Sequence, residues 1–266
     1  MPEMADASSC ELPMPVLAPL QLFGTPTWLR DDDRSIVFGG ERRFQLRIYL
    51  ACRHAWVSRD ELAELLWPER PQQLARSNLR KVLLLAQQVP GLTAIEQQGD
   101  HLRWMPESDL LQFESACADR RWGDAISLYR PPLLAGWEVD LPAGLVEWLA
   151  IVRERVAARW RDAAEARLAE LSVDPRAAAA LATTLLEHDP VDDHLAATLA
   201  EAHLALGEAA RGLRALDAHT RRLAVLLGVG PSEPLRALMQ RLRERLGERA
   251  DAWPAPMRRG ATADQS

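Results

Sequence analysis

Apolar residues recur at helical spacing in two neighbouring segments, Ser58–Trp67 and Gln72–Val89. The first opens with Ser58 and Glu61, the pattern of a capping box, and Trp67–Pro68 ends it. In the second, apolar residues line one side of the predicted helix: Ala75, Leu79, Val82, Leu83 and Ala86. Two such helices joined by a tight turn are typical of a helix-turn-helix motif.

The flanking segments predict the remaining elements of a winged helix. In chain order they are a hairpin of Leu20–Leu29 and Ser35–Phe38, a helix from Glu41 to about His54, a link or short strand at Val57, the two helices above, and a hairpin of Ala94–Gln97 and His101–Met105. The expected buried stripe of the first helix is Phe44, Ile48 and Cys52. The closing hairpin turns around Gln98–Gly99–Asp100 and would be the wing.

From Asp109 onward the sequence becomes helical and rich in alanine, leucine and arginine. The predicted helices are Leu110–Asp119, Trp122–Tyr129, Ala143–Leu171, Asp174–His188, Asp192–Leu206, Glu208–Leu227 and Ser232–Leu246. Helix pairs separated by small-residue turns indicate a tetratricopeptide-like stack with units of roughly 35 residues. The concave side of such a stack can bind a protein or ligand, although core packing alone accounts for most of its leucine, alanine and tryptophan residues.

The predicted fold class is therefore mainly α, with an N-terminal winged helix-turn-helix containing small β-hairpins and then a tetratricopeptide-like helical domain. The expected organisation is a disordered lead-in at 1–19, the winged helix at 20–106, the helical domain at 107–246 and a disordered tail at 247–266.

The charge distribution restricts where a polyanion could bind. The formal net charge is −6, yet residues 20–106 carry 12 basic and 10 acidic side chains, whereas residues 107–266 carry 20 basic and 25 acidic ones. Because the first segment has no strong overall field, a polyanion-binding surface would have to be local, formed by a single helix and its neighbours.

The second helix of the motif has the composition of such a surface. Between Gln72 and Val89 it holds Arg76, Arg80 and Lys81 and no carboxylate. Arg76 and Arg80 are one turn apart and share a face with Gln73, which suits phosphates and base edges. His101 and Arg103, taken as residues near the wing tip, could approach a minor groove, although an ordinary covering hairpin explains them equally well.

Other classes of function find little support. The three cysteines are widely spaced without a CxxC motif, and the six histidines form no HExxH pattern, so no metal or cofactor is expected. The Asp31–Asp33 run is expected to be a solvated turn. The sequence lacks a secretion signal, a membrane-length apolar run, a glycine-rich phosphate loop and a nucleophile elbow, which favours a cytoplasmic protein that is not an enzyme.

Several segments resemble a known family. LYRPPLLAG at Leu128–Gly136, EWLAIVRERV at Glu147–Val156 and LGVGPSEPLRAL at Leu227–Leu238 resemble signature segments of the bacterial transcriptional activator domain. SRDELAELLW with ARSNLRKVL upstream resembles the OmpR-like winged helix that precedes this domain in SARP-type activators. The similarity covers roughly Leu20–Leu246, with the motifs in the family's order.

The resemblance implies a cytoplasmic activator that binds double-stranded promoter DNA, often as side-by-side protomers on direct repeats, and helps RNA polymerase engage. The implied DNA contacts are Arg76, Asn78, Arg80 and Lys81 on the helix, with Arg103 on the wing. The turn 68–73, including Glu69, Arg70 and Gln72, corresponds to the loop that touches polymerase in such regulators. With no receiver or ATPase domain, the chain resembles the short form of the family.

One departure from the family keeps a second hypothesis open. Where many relatives continue the recognition helix with an Arg–Leu–Arg–Arg cluster, this chain has Leu85–Ala86–Gln87–Gln88. Each lost phosphate contact removes roughly 0.9 from the salt slope of duplex binding. Binding would then depend on a neighbouring protomer or polymerase, or the protein would be an interaction adaptor whose winged helix no longer reads DNA.

Overall fold

The computed structural model describes residues 18–30 and 34–251, with side chains described up to Gly247. The Asp31–Asp33 run and most of the predicted lead-in and tail lie outside these residues. The chain forms two compact units, Met1–Arg167 and Leu168–Ser266. The predicted fold class is confirmed, since ten helices dominate the described residues and all their strands precede Trp104. The division expected between residues 106 and 107 stays a prediction.

The N-terminal sheet contains three short antiparallel strands in the order β1–β2–β3, namely β1 (Leu20–Gln21), β2 (Thr27–Leu29) and β3 (Ser35–Val37). The segment predicted as one strand therefore supplies two, because the chain turns at Gly24, whose φ of +82° favours glycine. Trp28 is buried and stacks on Trp104, with ring centroids 6.1 Å apart. This sheet covers one side of the winged-helix core.

Helix α1 (Arg42–Arg53) runs through the centre of that core. The stripe predicted from its sequence, Phe44, Ile48 and Cys52, is buried as expected. His54 ends the helix in the left-handed conformation, with φ of 49°. Nine consecutive residues of α1 are buried, so neighbouring elements surround the helix on all sides.

The helix-turn-helix consists of α2 (Arg59–Leu66) and α3 (Gln72–Gln87). A second sheet in the order β4–β6–β5 flanks it, formed by β4 (Val57–Ser58), β6 (His101–Arg103) and β5 (Glu96–Gln98). Its β5–β6 hairpin, hereafter the wing, turns at residues 99–100, so β5 begins two residues later than predicted. The predicted winged helix-turn-helix is confirmed.

Only half of the predicted capping box is formed at the start of α2. The Ser58 hydroxyl accepts from the Glu61 amide at 3.1 Å, as a helix cap does. The Glu61 carboxylate does not return this bond; it accepts from the Tyr49 hydroxyl at 2.7 Å. Burial and this hydrogen bond raise the pKa of Tyr49 well above its ordinary value. Glu61 therefore ties α2 to α1.

After the wing, the first unit continues into three helices, α4 (Asp109–Ala118), α5 (Trp122–Leu128) and the start of α6 (Ala143–Glu170). The Phe23 ring packs edge-on against Phe113 of α4, with centroids 5.6 Å apart. The Asp109 carboxylate accepts from the backbone amide of Leu22 at 2.7 Å. These contacts join the N-terminal sheet to the helices that follow the wing.

The second unit is a stack of consecutive helices. They are α7 (Pro175–His188), α8 (Asp193–Ala205), α9 (Ala209–Leu226) and α10 (Glu233–Asp251), each packed on the next. Asp174 and Asp192 cap the first two through bonds from backbone amides to their carboxylates. The final helix extends five residues beyond the predicted end at Leu246, so Gly247 lies inside it.

Gly212 sets the closest approach within this stack, and Gly212→Ala is expected to destabilise it. A Cβ at this position would lie 2.9 Å from the Ala200 carbonyl oxygen, and that oxygen belongs to the backbone of α8 and cannot move aside easily. We expect a loss of about 1–2 kcal/mol, since overpacking costs more than the gain of about 1 kcal/mol in helix propensity. Urea unfolding followed by far-UV circular dichroism measures it.

Gly247→Ala is the matched control, because a Cβ there meets nothing within 4 Å. This variant should be neutral or slightly stabilising, as propensity alone predicts. Equal stability of the two variants would contradict close packing at Gly212.

Candidate nucleic-acid interface

Helix α3 buries one face and exposes the other. The buried side chains are Ala75, Leu79, Leu83 and Ala86. Val82, also predicted for this face, is half-buried. The exposed residues include Gln73, Arg80, Lys81, Leu84 and Gln87. The helix is therefore anchored to the core by one side while the other remains accessible within the first unit, as a recognition helix requires.

A buried arginine fixes the C-terminal end of α3. Arg47 is fully buried, and its Nε and Nη2 atoms donate to the Ala86 carbonyl at 3.0 and 2.8 Å. Its Nη1 donates to the Thr93 carbonyl at 3.0 Å, and the guanidinium lies 4.5 Å from the centroid of the Trp104 ring. The last carbonyls of a helix lack intrahelical partners, so Arg47 satisfies one of them while tying α1 to the segment before the wing.

Arg80 and Lys81 are the cations of α3 that lack an ion-pair partner among the described residues. Both are exposed, and neither forms an ion pair with a carboxylate of the described residues. Because no acid neutralises them there, both charges are available to an external anion. Their placement on the outer side of the helix agrees with the sequence expectation.

Arg76 is held by two carboxylates from other elements. Its Nε and Nη2 atoms donate to the two oxygens of Asp60 in α2, and Nη2 also donates to Asp100 in the wing turn at 3.1 Å. The hydrogen bond from Arg76 lowers the pKa of Asp60. Although α3 itself contains no acidic residue, acidic residues of α2 and the wing lie next to it.

The wing is attached to the helix-turn-helix by a second arginine. The backbone amide of Arg59 donates to the Asp100 carbonyl at 2.9 Å, and its Nη2 donates to the Gln97 side chain at 2.7 Å. Its Nε lies 3.9 Å from the Asp100 carboxylate. Both edges of the wing turn are therefore connected to the start of α2.

A groove of about 440 Å³ separates α3 from the wing. Arg59, Arg76 and Arg80 line it with the wing residues Gln97 and Asp100 and with leucines of α3. Arg76 and Arg59 already contact acids of α2 and the wing, so Arg80 is the groove arginine that can donate to an external phosphate or base edge. The leucines provide apolar surface for a thymine methyl group.

The two predicted wing residues lie at different heights on the hairpin. His101 is exposed next to the turn. Arg103 is not near the tip, because it pairs with Glu96 at the base of the hairpin, where its Nη2 lies 2.6 Å from the carboxylate. Its guanidinium also lies 4.5 Å from the Trp56 ring centroid. The contact role predicted for each stays a prediction.

The remaining predicted residues are distributed over α3 and the turn before it. Asn78 is half-buried, whereas Glu69 and Arg70 are exposed in the turn between α2 and α3. Gln72 opens α3 and donates to Asp60 at 3.0 Å. The turn is therefore accessible, with one end fixed to α2.

Arg59, Asp60, Gln97 and Asp100 were missed in the sequence because they lie outside the recognition helix. Each contributes a side chain to the groove or to the Arg76 network. An available signal was the position of Asp60 in the first turn of α2 and of Asp100 in the hairpin turn, two places that a winged helix brings near the N-terminal half of its recognition helix.

The family model of the bacterial transcriptional activator domain matches residues 109–243, half of the chain. The chain belongs to the bacterial transcriptional activator domain family. The resemblance to SARP-type activators is confirmed, and this activator-domain protein is a transcriptional regulator. No curated protein matches its sequence.

The activator-domain protein also has a structural neighbour of low sequence identity. It is Mycobacterium tuberculosis EmbR in complex with low affinity phosphopeptide, with a TM-score of 0.55 and 19% identity over 88% of this chain and 69% of the EmbR chain. At that identity the similarity supports the fold, a winged helix followed by a helical domain.

A membrane-spanning helix and a metal-binding cluster are both absent from the described residues. None of their helices is both long and apolar enough to cross a membrane. Among the same residues, no group of three or more histidine, cysteine, aspartate or glutamate side chains could hold a metal ion.

Proposed function

We propose that this regulator is an activator that binds double-stranded promoter DNA by inserting α3 into the major groove and placing the wing beside it. The observation that carries the proposal is the exposure of Arg80 and Lys81, opposite the face that anchors α3 to the core. Gln73 and Asn78 would add polar contacts from the same helix, and His101 and Arg103 would approach from the wing.

We further propose that the turn between α2 and α3 contacts RNA polymerase. Glu69 and Arg70 support this, because both are exposed on a segment adjacent to the DNA-binding helix. Polymerase bound at the promoter could reach this turn while α3 remains in the groove.

Arg80 and Lys81 are the two unpaired cations on α3 among the described residues, and they would contact few phosphates. A single protomer would therefore bind DNA weakly. Two protomers that associate with each other would bind neighbouring repeats more tightly, since binding of the second protomer then becomes effectively intramolecular. We therefore propose binding as side-by-side copies on direct repeats.

Arg80→Ala/Lys81→Ala is expected to weaken promoter binding at least about tenfold and to reduce the salt slope by roughly 1.8 per protomer, because two phosphate contacts are lost. Promoter fragments selected by genome-wide crosslinking of the tagged protein would serve in a salt titration of affinity. Arg214→Ala/Arg243→Ala, which removes two exposed arginines of α9 and α10, is the charge-matched control and should leave both quantities unchanged. An unchanged slope in the double variant would refute the proposal.

Lys81 offers an independent measurement because it is the only lysine in the sequence. Reductive methylation with ¹³C-formaldehyde keeps its charge and labels only Lys81 and the terminal amine. The Lys81 methyl signal should shift when promoter duplex is added and should stay in place with a neutral polymer.

A second candidate function is favoured by the apolar end of α3. Leu84 and Leu85 are 57% and 50% exposed, although both are large apolar residues. An interaction adaptor could use them as a protein-binding surface. Such an adaptor would show little affinity for duplex DNA even at low salt, so the same titration separates the two functions.

A further inference from the structure

Arg76 joins three separate elements of the winged helix. It originates from the first turns of α3, binds the Asp60 carboxylate of α2 through two nitrogens, and reaches Asp100 in the wing turn at 3.1 Å. Gln72, one turn earlier, donates to the same Asp60 at 3.0 Å. The N-terminal half of α3 is therefore fastened to α2 on one side and to the wing on the other.

The network around Arg76 is electrically balanced. Asp100 also lies 3.9 Å from Arg59, whose side chain donates to Gln97 of β5 at 2.7 Å. Two arginines and two aspartates alternate from α2 through α3 to the wing, so their formal charges cancel. A phosphate approaching Arg76 would have to displace two carboxylates and would meet no net positive charge there.

Arg80 lies one turn further along α3 and has no described carboxylate partner. It lines the same groove as Arg76. Arg76 and Arg80 carry the same charge on one face of α3. They differ because the guanidinium of Arg76 is already paired with Asp60 and Asp100, whereas that of Arg80 has no described carboxylate partner. This difference separates a cation that is free to bind DNA from one that organises the protein.

We infer that Arg76 is a positioning residue of the DNA-binding site, which fixes the wing and α2 relative to α3, while Arg80 and Lys81 provide the phosphate contacts. This inference rests on the proposed function. It assigns Asp60 and Asp100 the same role as Arg76, although acids near a DNA-binding surface would ordinarily be expected to weaken binding.

Salt titration of the full-length protein distinguishes the two roles of arginine. Arg76→Ala should weaken promoter binding about threefold to tenfold, as expected for two partly exposed ion pairs, and leave the salt slope unchanged. Arg80→Ala should reduce the slope by roughly 0.9. A comparable decrease in the slope for Arg76→Ala would overturn the inference.

Asp100 provides a second test, which depends on whether its substitution weakens or tightens DNA binding. Asp100→Asn should weaken DNA binding, as Arg76→Ala does, because it breaks the ion pair between Arg76 and the wing turn. Glu96→Gln removes one negative charge from the same hairpin and leaves the Arg76 network intact, so binding should be unchanged or tighter. Tighter binding by Asp100→Asn than by Glu96→Gln would show that Asp100 merely competes with DNA, and the inference would fail.

A measurement on the free protein decides the inference even if no duplex binds. Amide hydrogen exchange in residues 99–101 of the wing should accelerate in Arg76→Ala and stay at the wild-type rate in Arg80→Ala. Unchanged exchange in Arg76→Ala would overturn the positioning role. Absence of any duplex affinity in the wild-type protein would refute the proposed function and leave this measurement as the deciding one.

Discussion

Arg47→Ala is expected to lower the free energy of unfolding of the first unit by about 3–5 kcal/mol. Arg47 is fully buried, and three of its hydrogen bonds satisfy the carbonyls of Ala86 and Thr93. Alanine would leave both acceptors without this partner, open a cavity and remove the cation from the Trp104 ring. The end of the recognition helix would lose its connection to α1.

Tryptophan fluorescence during urea unfolding measures this loss, because eight of the nine tryptophans precede Leu168 and report on the first unit. Arg43→Ala is the matched control on the same helix. Arg43 pairs with Glu41 at the surface at 3.0 Å, so its removal should cost less than about 1 kcal/mol. If the two variants were equally stable, the buried arginine would have no special structural role.

The loss caused by Arg47→Ala should be nearly independent of pH between 5 and 8. Burial lowers the pKa of Arg47 to about 10, which still leaves the guanidinium charged throughout that range. Its hydrogen bonds and its contact with Trp104 are therefore present at every pH in the comparison.

The helices could be predicted from the sequence because their evidence is local. The stripe of Phe44, Ile48 and Cys52 and the caps at Ser58 and Asp174 are encoded within a few residues of the helices they define. The end of the last helix was predicted five residues too early. Gly247 resembles a helix end in the sequence, yet α10 continues past it.

The electrostatics of the candidate site depended on contacts that no local pattern shows. Asp60 precedes Arg76 by 16 positions and Asp100 follows it by 24, so neither enters a count of charges along α3. Arg47 likewise reaches Ala86, 39 positions away. The sequence therefore indicates which helix faces outward, but the fold determines which of its cations are already paired.

Asp109 illustrates the same limit at the start of the activator-domain match. It is 6% exposed, and its carboxylate accepts from the amides of Leu22, Phe23 and Leu110 at 2.7, 3.1 and 2.8 Å. Burial raises the pKa of Asp109 to about 6, although these three amides act in the opposite direction. In the sequence, Asp109 appears only as an acid near a helix start.

The raised pKa of Asp109 predicts a specific dependence of stability on pH. Between its unfolded value of 3.8 and about 6, the native state holds the proton more tightly than the unfolded chain does. The contribution of Asp109 to stability is therefore largest below pH 4 and falls as the pH rises towards 6. Because a pKa difference of one unit corresponds to about 1.36 kcal/mol, the total decline in stability is about 3 kcal/mol. It levels off above about pH 7.

Asp109→Asn isolates this contribution, because groups with depressed pKa values, such as Asp60 and Glu114, impose the opposite slope on both proteins. The stability of the wild type relative to the variant, measured by urea unfolding with tryptophan fluorescence, should decrease from pH 4 to about pH 7 and then stay constant. The size of the stability difference at any one pH depends on how well the side-chain amide of the Asp109→Asn variant accepts the three hydrogen bonds of Asp109. The change of that difference with pH depends only on the titration of Asp109. A difference that did not change with pH would mean that Asp109 titrates alike in the native and unfolded states, and its burial beneath Leu22 and Phe23 would then carry no electrostatic cost.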